Sequence, residues 1–183
     1  MEEQLIIGGF GGQGILFIGQ LLAYAAAIED REVAYFPAYG PEMRGGTANC
    51  MVTISDRRIM SPLISNPSAA IIMNLPSLDR FEPAIKPGGL LVVNSSMVNR
   101  KCTRQDITIC EVPANRIAEE LGNTRLSSMV ALGCYVAASG VVNPESVISG
   151  LPKMLKKERK ELILPNAKAL RAGLDWQSMS QGG

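Results

Sequence analysis

Leu5-Ile6-Ile7-Gly8-Gly9-Phe10-Gly11-Gly12-Gln13-Gly14 is the stretch of sequence that decides the fold. Its first three residues form a short apolar run that is typical of a buried strand. The segment from Ile15 to Ala27 contains no proline and predicts a helix. Because a strand, a glycine-rich turn and a helix in this order open a βαβ unit, the stretch predicts an α/β domain.

The rest of the chain continues this alternation of strands and helices. Strands are predicted at residues 33–36, 47–55, 69–74, 90–94 and 107–112. Helices are predicted at residues 77–85, 115–121, 127–138, 144–150 and 155–173. We expect Pro37 to end the second strand, residues 47–64 to add an antiparallel element by hairpinning back at 59–64, and Pro165 to break the last helix. The pattern predicts a single three-layer α/β/α Rossmann-like domain with a mainly parallel, mixed sheet over residues 1–175, followed by a flexible tail at 176–183.

Composition excludes several classes of function. The chain has 183 residues, a formal net charge of +1 and no histidine. The balanced charge does not favour nucleic acid or membrane surfaces as partners, and the missing imidazole excludes Ser-His-Asp and Cys-His catalysis. The four cysteines form no C-x-x-C pair, which indicates reduced thiols in a cytoplasmic protein rather than a metal centre. We therefore predict no metal ligands and no catalytic residues in this chain.

The glycine turn satisfies the G-x-G-x-x-G pattern after a strand and before a helix. Gly9 is expected to permit the tight turn, Gly11 to let a ligand approach the backbone, and Gly14 to let the helix pack close to the strand. The N–H groups of Gly12, Gln13 and the residues that follow favour an anion. A nicotinamide cofactor is disfavoured, because the second strand ends in Phe36-Pro37-Ala38 without the carboxylate that holds a ribose. A tight βα turn and a site for another phosphate both remain open.

A second loop is the other candidate site. It contains Tyr39, Gly40, Pro41, Glu42, Met43, Arg44, Gly45, Gly46, Thr47 and Asn49. Arg44 can present its guanidinium to a phosphate, a carboxylate or a partner's acidic side chain, or it can pair within its own loop. Asn74 and Asn94 follow buried strands at the same predicted edge of the sheet, and each is expected to hydrogen-bond a loop backbone. Cys50 is interpreted as a small strand residue rather than an activated thiol.

At these two loops the sequence resembles the gamma subunit, or gamma domain, of the 2-oxoacid:ferredoxin oxidoreductases. The matching pieces are Gly8-Gly9-Phe10-Gly11-Gly12-Gln13-Gly14, residues 36–50 with their Tyr-Gly-Pro-Glu-Met-Arg-Gly-Gly run, Pro87-Gly88-Gly89, Val112-Pro113-Ala114 and Leu121-Gly122-Asn123. The resemblance extends over residues 4 to 174 and is strongest to the 2-oxoglutarate type. One departure is Leu126-Ser127-Ser128-Met129, where relatives often carry an asparagine two residues earlier or directly before the methionine.

The resemblance implies a subunit of a heteromultimeric oxidoreductase. The holoenzyme decarboxylates a 2-oxoacid with coenzyme A, forms an acyl-CoA and CO₂, and reduces ferredoxin. Thiamine diphosphate with Mg²⁺ belongs to the alpha and beta subunits, and iron–sulfur clusters belong mainly to a delta subunit. The gamma chain carries none of these cofactors and packs near the entrance for coenzyme A. Two other interpretations stay open: a freestanding dinucleotide-binding protein, and a purely architectural subunit that touches no substrate.

Overall fold

A six-stranded mixed sheet forms the centre of the protein. The computed structural model describes residues 1–38 and 46–181. Its strands are β1 (Glu2–Phe10), β2 (Glu32–Ala38), β3 (Thr47–Ser55), β4 (Ala69–Ile72), β5 (Leu90–Asn94) and β6 (Thr108–Val112). They lie in the order β2-β3-β1-β4-β5-β6. The pairs β1/β4, β4/β5 and β5/β6 are parallel, whereas β3 is antiparallel to both β1 and β2.

The position of β3 makes the strand order of this sheet different from that of a mononucleotide-binding half of the Rossmann fold. There, the first two strands are parallel neighbours. Here β3 lies between them and pairs with β1 over the whole of that strand, from Glu2 opposite Ser55 to Phe10 opposite Thr47. The expected antiparallel element is therefore present, and it moves the end of β2 one strand away from the glycine turn.

Most helices cover one face of the sheet. They are α1 (Ile15–Ile28), α2 (Leu75–Phe81), α3 (Ala114–Glu120), α4 (Ser127–Ser139), α5 (Pro144–Met154) and α6 (Ile163–Gln181). All except α2 contribute to the larger apolar core, together with Leu5 and Ile7 of β1. α4 and α6 cross at backbone contact, since a Cβ at Gly133 would lie 2.0 Å from the carbonyl oxygen of Leu170. Within the described residues no helix combines the length and the apolar character that crossing a bilayer requires.

The opposite face is thinner. Ile6, which points away from Leu5 and Ile7, packs there with Leu78 and Phe81 of α2 and with loop residues such as Ile64 and Val98. The loops are held by Glu82, whose carboxylate pairs with Arg100 at 2.9 Å. The three-layer architecture predicted from the sequence is confirmed, with one layer of helices and one layer of a short helix and loops.

Two predicted details around the prolines and the hairpin are wrong. β2 continues through Pro37, which lies opposite Cys50, because β2 is an edge strand where a missing N–H is tolerated. No strand forms at residues 59–64, where the chain runs as bends and Ile64 donates its N–H to the sulfur of Met51 at 3.3 Å. The expected hairpin does not form because β3 already has partners on both sides.

The carboxyl-terminal segment also differs from the prediction. Pro165 lies in the first turn of α6, where its missing N–H costs no hydrogen bond, and the segment before it, Lys157–Leu162, is a separate 3₁₀ helix. α6 then continues to Gln181, through most of the segment that was predicted to be a tail. Trp176 donates its indole N–H to the carbonyl of Glu111 at 2.9 Å, and Gln177 is buried. These two contacts explain why the helix extends.

Candidate functional site

The glycine turn lies at the carboxyl edge of the sheet, between β1 and α1. Phe10 ends β1, and its N–H donates to the side-chain oxygen of Gln13 at 2.6 Å. Gln13 returns its own N–H to the carbonyl of Phe10 at 3.2 Å. Gly11 donates its N–H to the carbonyl of Gly46 at 2.6 Å, which joins the turn to the residue before β3. These bonds fix the turn without a charged side chain.

Two glycines of this stretch, Gly9 and Gly14, have structural roles that differ from the expected ones. Gly9 lies inside β1, where a Cβ would be 2.6 Å from Ile15 Cδ1, so Gly9 permits close packing rather than the turn itself. Gly14 adopts φ +82° and abuts α4 instead of a strand, since its Cβ would lie 2.7 Å from Ser128 Oγ. Gly12 adopts φ +87° with nothing within 4 Å of a Cβ. Among the described residues, a Cβ at Gly11 would meet only the carbonyl of Gly46, at 3.8 Å, so none of them blocks the approach of a ligand on this side.

A cavity of about 390 Å³ opens over the turn. Residues 10–12 and 14–17 line it with Ala48 of β3. Gly14 caps α1 without any side-chain hydrogen bond, and the first turn of α1 has no acidic residue. Within the described residues, neither a capping side chain nor an acidic residue of the first turn therefore neutralises the first N–H groups of α1 and its positive dipole end. The arrangement can accept a phosphate or a carboxylate against backbone.

The described part of the second loop lies beside the glycine turn. Gly46 supplies the carbonyl that Gly11 contacts, and Thr47 and Asn49 begin β3 beside the turn. Asn49 is buried opposite Gly8. Tyr39, Gly40, Pro41, Glu42, Met43, Arg44 and Gly45 lie outside the described residues. The prediction that Arg44 joins the turn at this edge stays a prediction.

Asn74 and Asn94 both bond loop or helix backbone, as the sequence analysis expected. The Asn74 side chain caps α2 by accepting the N–H of Ser77 at 2.9 Å. Asn94 is fully buried at the end of β5, where it accepts the N–H of Ala114 at 3.1 Å and donates to the side chain of Asn115 at 2.7 Å. These contacts anchor α2 and α3 to the sheet edge, which is a structural role.

Sequence reasoning missed a second cavity beside the turn, which we call the arginine pocket. It has a volume of about 310 Å³ and shares Gly14 and Phe17 with the first cavity. Its other lining residues come from three distant segments, namely Asn123, Arg125, Leu126, Ser128, Leu155, Arg159, Leu162 and Asn166. Arg125 and Arg159 are 34 positions apart in the sequence, so no local spacing marks them as a pair.

Cys50 does not have the surroundings of an activated thiol. Cys50 is buried behind the turn, and burial raises the pKa of its thiol to about 12. Its sulfur donates to the carbonyl of Ile15 at 3.6 Å, which fits the interpretation as a small strand residue. Among residues 1–38 and 46–181 no group of three or more Cys, Asp or Glu side chains could hold a metal ion. What meets at this edge of the sheet is the uncapped start of α1 and the cavity above it.

Comparison with known proteins adds to this geometry. The model of the pyruvate ferredoxin/flavodoxin oxidoreductase family matches residues 4–176. The ketoisovalerate oxidoreductase subunit VorA of Methanothermobacter marburgensis is 35 % identical over 175 residues, covering 96 % of this chain and 36 % of the relative. The 2-oxoglutarate synthase subunit KorC of Methanocaldococcus jannaschii is 33 % identical over 168 residues, covering 89 % and 90 %. The chain thus spans about a third of the first relative and nearly all of the second.

The solved structures show the same fold. The gamma subunit of a keto/oxoacid ferredoxin oxidoreductase from Geobacter sulfurreducens superimposes with a TM-score of 0.84 and 27 % identity. The match covers 97 % of this chain and 99 % of that subunit. One such domain therefore makes up a whole chain in that protein and in KorC, and a part of a longer chain in VorA.

Proposed function

The chain belongs to the pyruvate ferredoxin/flavodoxin oxidoreductase family, and we propose that it is the gamma subunit of a 2-oxoglutarate:ferredoxin oxidoreductase. In this role it joins alpha, beta and delta subunits in a cytoplasmic complex. The complex converts 2-oxoglutarate and coenzyme A into succinyl-CoA and CO₂, and it passes the electrons to ferredoxin. The observation that carries the proposal is the match to KorC over 90 % of that subunit's length.

Within the complex this chain would form the side that receives coenzyme A. The open backbone at Gly11, the uncapped start of α1 and the cavity above them suit a phosphate-bearing ligand. The described residues do not fit a metal or iron–sulfur centre, because no acidic or cysteine cluster is present among them. We propose that thiamine diphosphate, Mg²⁺ and the clusters belong to the other subunits.

The sheet order counts against a freestanding dinucleotide-binding protein. With β3 between β1 and β2, the end of β2 is not the immediate neighbour of the glycine turn, so it is poorly placed to hold a ribose next to it. We expect calorimetry to detect no binding of NAD to the full chain at millimolar concentration. A micromolar dissociation constant would revive a dehydrogenase-like function.

The proposal is tested by coexpressing the chain with its partner subunits. We expect the chain to copurify with them, and the complex to reduce ferredoxin only when both coenzyme A and a 2-oxoacid are present. The purified chain alone should be colourless and free of iron. Comparing 2-oxoglutarate with 2-ketoisovalerate as substrates then decides the subtype, because relatives named for each are almost equally similar. A chain that purifies as a monomer, without any of the coexpressed subunits, would contradict the proposal.

Arg44→Lys separates a ligand role from an architectural one. If Arg44 binds a phosphate of coenzyme A, assembly is unchanged and the KM for coenzyme A rises about 10- to 150-fold, because one charge-assisted hydrogen bond is lost. If Arg44 pairs with a neighbouring subunit, the chain dissociates and the KM of the remaining complex is normal. If Arg44→Lys changes neither the assembly of the complex nor the KM for coenzyme A, we would conclude that Arg44 only forms contacts within its own loop.

A further inference from the structure

The arginine pocket is built by four segments that meet beside the glycine turn. α1 contributes Gly14 and Phe17, and the 3₁₀ helix Thr124–Leu126 contributes Arg125. Ser128 lies in the first turn of α4, and Arg159 lies in the 3₁₀ helix that precedes α6. Arg159 has φ −124° and ψ 22°, so it interrupts the helical path of its own segment. The pocket is therefore a junction of separate elements rather than the surface of one helix.

The charge in this pocket is uncompensated. The side chains of Arg125 and Arg159 make no hydrogen bond, and neither is in an ion pair with any residue of the described part of the chain. None of the ten lining residues is acidic. Two guanidinium groups on one cavity repel each other, and an anion placed between them removes that repulsion.

The floor of the pocket contributes an independent observation. Ser128 is only 2 % exposed, and its hydroxyl has no hydrogen-bond partner among the described residues. The hydroxyl faces Gly14, because Ser128 Oγ lies 2.7 Å from the position of a Cβ there. Because Ser128 lines the pocket and its hydroxyl is not used by another described residue, the hydroxyl can donate a hydrogen bond to an anion held there.

We propose that the arginine pocket is a second anion site that binds a phosphate group, separate from the backbone of the glycine turn. Guanidinium forks donate parallel hydrogen bonds that match phosphate oxygens, and the hydroxyl of Ser128 adds a donor on the buried side. The source of the phosphate is coenzyme A bound at the proposed site or a free polyphosphate. The first source rests on the proposed function, and the phosphate site itself does not.

The direct test is calorimetric titration of the full chain with inorganic pyrophosphate. We expect the wild-type chain to bind it, and Arg125→Gln and Arg159→Gln each to weaken binding about tenfold or more. The matched control is Lys157→Gln, which removes the same charge from an exposed residue of the same 3₁₀ helix that does not line the pocket. Urea unfolding confirms that each variant is folded. No pyrophosphate binding, or equal affinities in all four chains, would overturn the proposal.

The same variants in the assembled complex identify the source of the phosphate. If the KM for coenzyme A rises about tenfold in the arginine variants and not in Lys157→Gln, the pocket holds a phosphate of coenzyme A. If pyrophosphate binding is lost while the KM is unchanged, the pocket is a phosphate site for a free ligand. Failure of the proposed function would show in the wild-type chain, as lack of assembly or of coenzyme A-dependent turnover, and is thereby distinct from failure of the pocket.

Discussion

The glycine turn and the arginine pocket share Gly14 and Phe17, yet they are built in opposite ways. The turn offers backbone N–H groups from one continuous stretch of chain, and its geometry depends on residues without side chains. The pocket offers side-chain groups from segments that only the fold brings together. The difference teaches that backbone sites are sensitive to added atoms, whereas side-chain sites are sensitive to removed charge. Substitutions at the two places should therefore separate stability from ligand affinity.

Gly14→Val should have the largest effect on stability. A β-branched residue is strained at φ +82°, and its Cβ would collide with Ser128 Oγ. We expect the free energy of unfolding in urea to fall by about 2–5 kcal/mol, the sum of backbone strain and overpacking. Gly12→Ala is the matched control, because it has a similar φ but no atom within 4 Å, and it should lose only about 1 kcal/mol. Equal losses would mean that Gly14 does not pack on α4.

Asn94→Ala should have the second-largest effect on stability, because it removes the side chain that connects the end of β5 to the start of α3. It removes the bonds from Asn94 to Ala114 and Asn115 and leaves buried groups without partners. We expect a loss of about 2–4 kcal/mol in urea unfolding. Asn74→Ala removes only a helix cap and should cost about 1 kcal/mol. If Asn74→Ala cost more stability than Asn94→Ala, α2 would depend on Asn74 more than α3 depends on Asn94.

Gly11→Ala sharpens the comparison within the turn itself. The sequence alone predicts that a larger residue here damages either packing or a ligand site, and the structure favours the second, because the nearest described atom to a Cβ is 3.8 Å away. The melting temperature should stay within about 2 °C of wild type, whereas the KM for coenzyme A in the complex should rise. Lower stability with normal kinetics would contradict the open approach at this glycine.

The double variant Arg125→Gln/Arg159→Gln should have the smallest effect on stability. Both side chains are exposed and make no ion pair within the described residues. We expect the free energy of unfolding to change by less than about 0.5 kcal/mol, because neither side chain makes a stabilising contact with a described residue and their mutual repulsion is removed. A loss above about 2 kcal/mol would show that the arginines support the fold instead of a ligand.

Sequence patterns were sufficient where contiguous residues define an element. β3 and β5 were predicted with their observed bounds, and the predicted end of α1 is one residue short of the observed end. These predictions succeed because periodicity and glycine turns are local signals. The role of Gly9 was wrong because its neighbours Ile15 and Met73 lie on other elements. The arginine pocket could not be predicted, since the proximity of Arg125 to Arg159 arises only when α1, α4 and the segment before α6 pack together.

Trp176 and Pro37 have a consequence for how this protein associates with other chains. The indole N–H of Trp176 occupies a carbonyl of β6, one border of the sheet, and Pro37 removes a donor from β2, the other border. Exposed strand borders invite another chain to extend the sheet, which is a route to aggregation. With an acceptor filled at one border and a donor missing at the other, strand addition is discouraged on both sides. In the proposed complex, contacts with partner subunits would thereby be directed to helix and loop surfaces, where shape and charge can discriminate between partners.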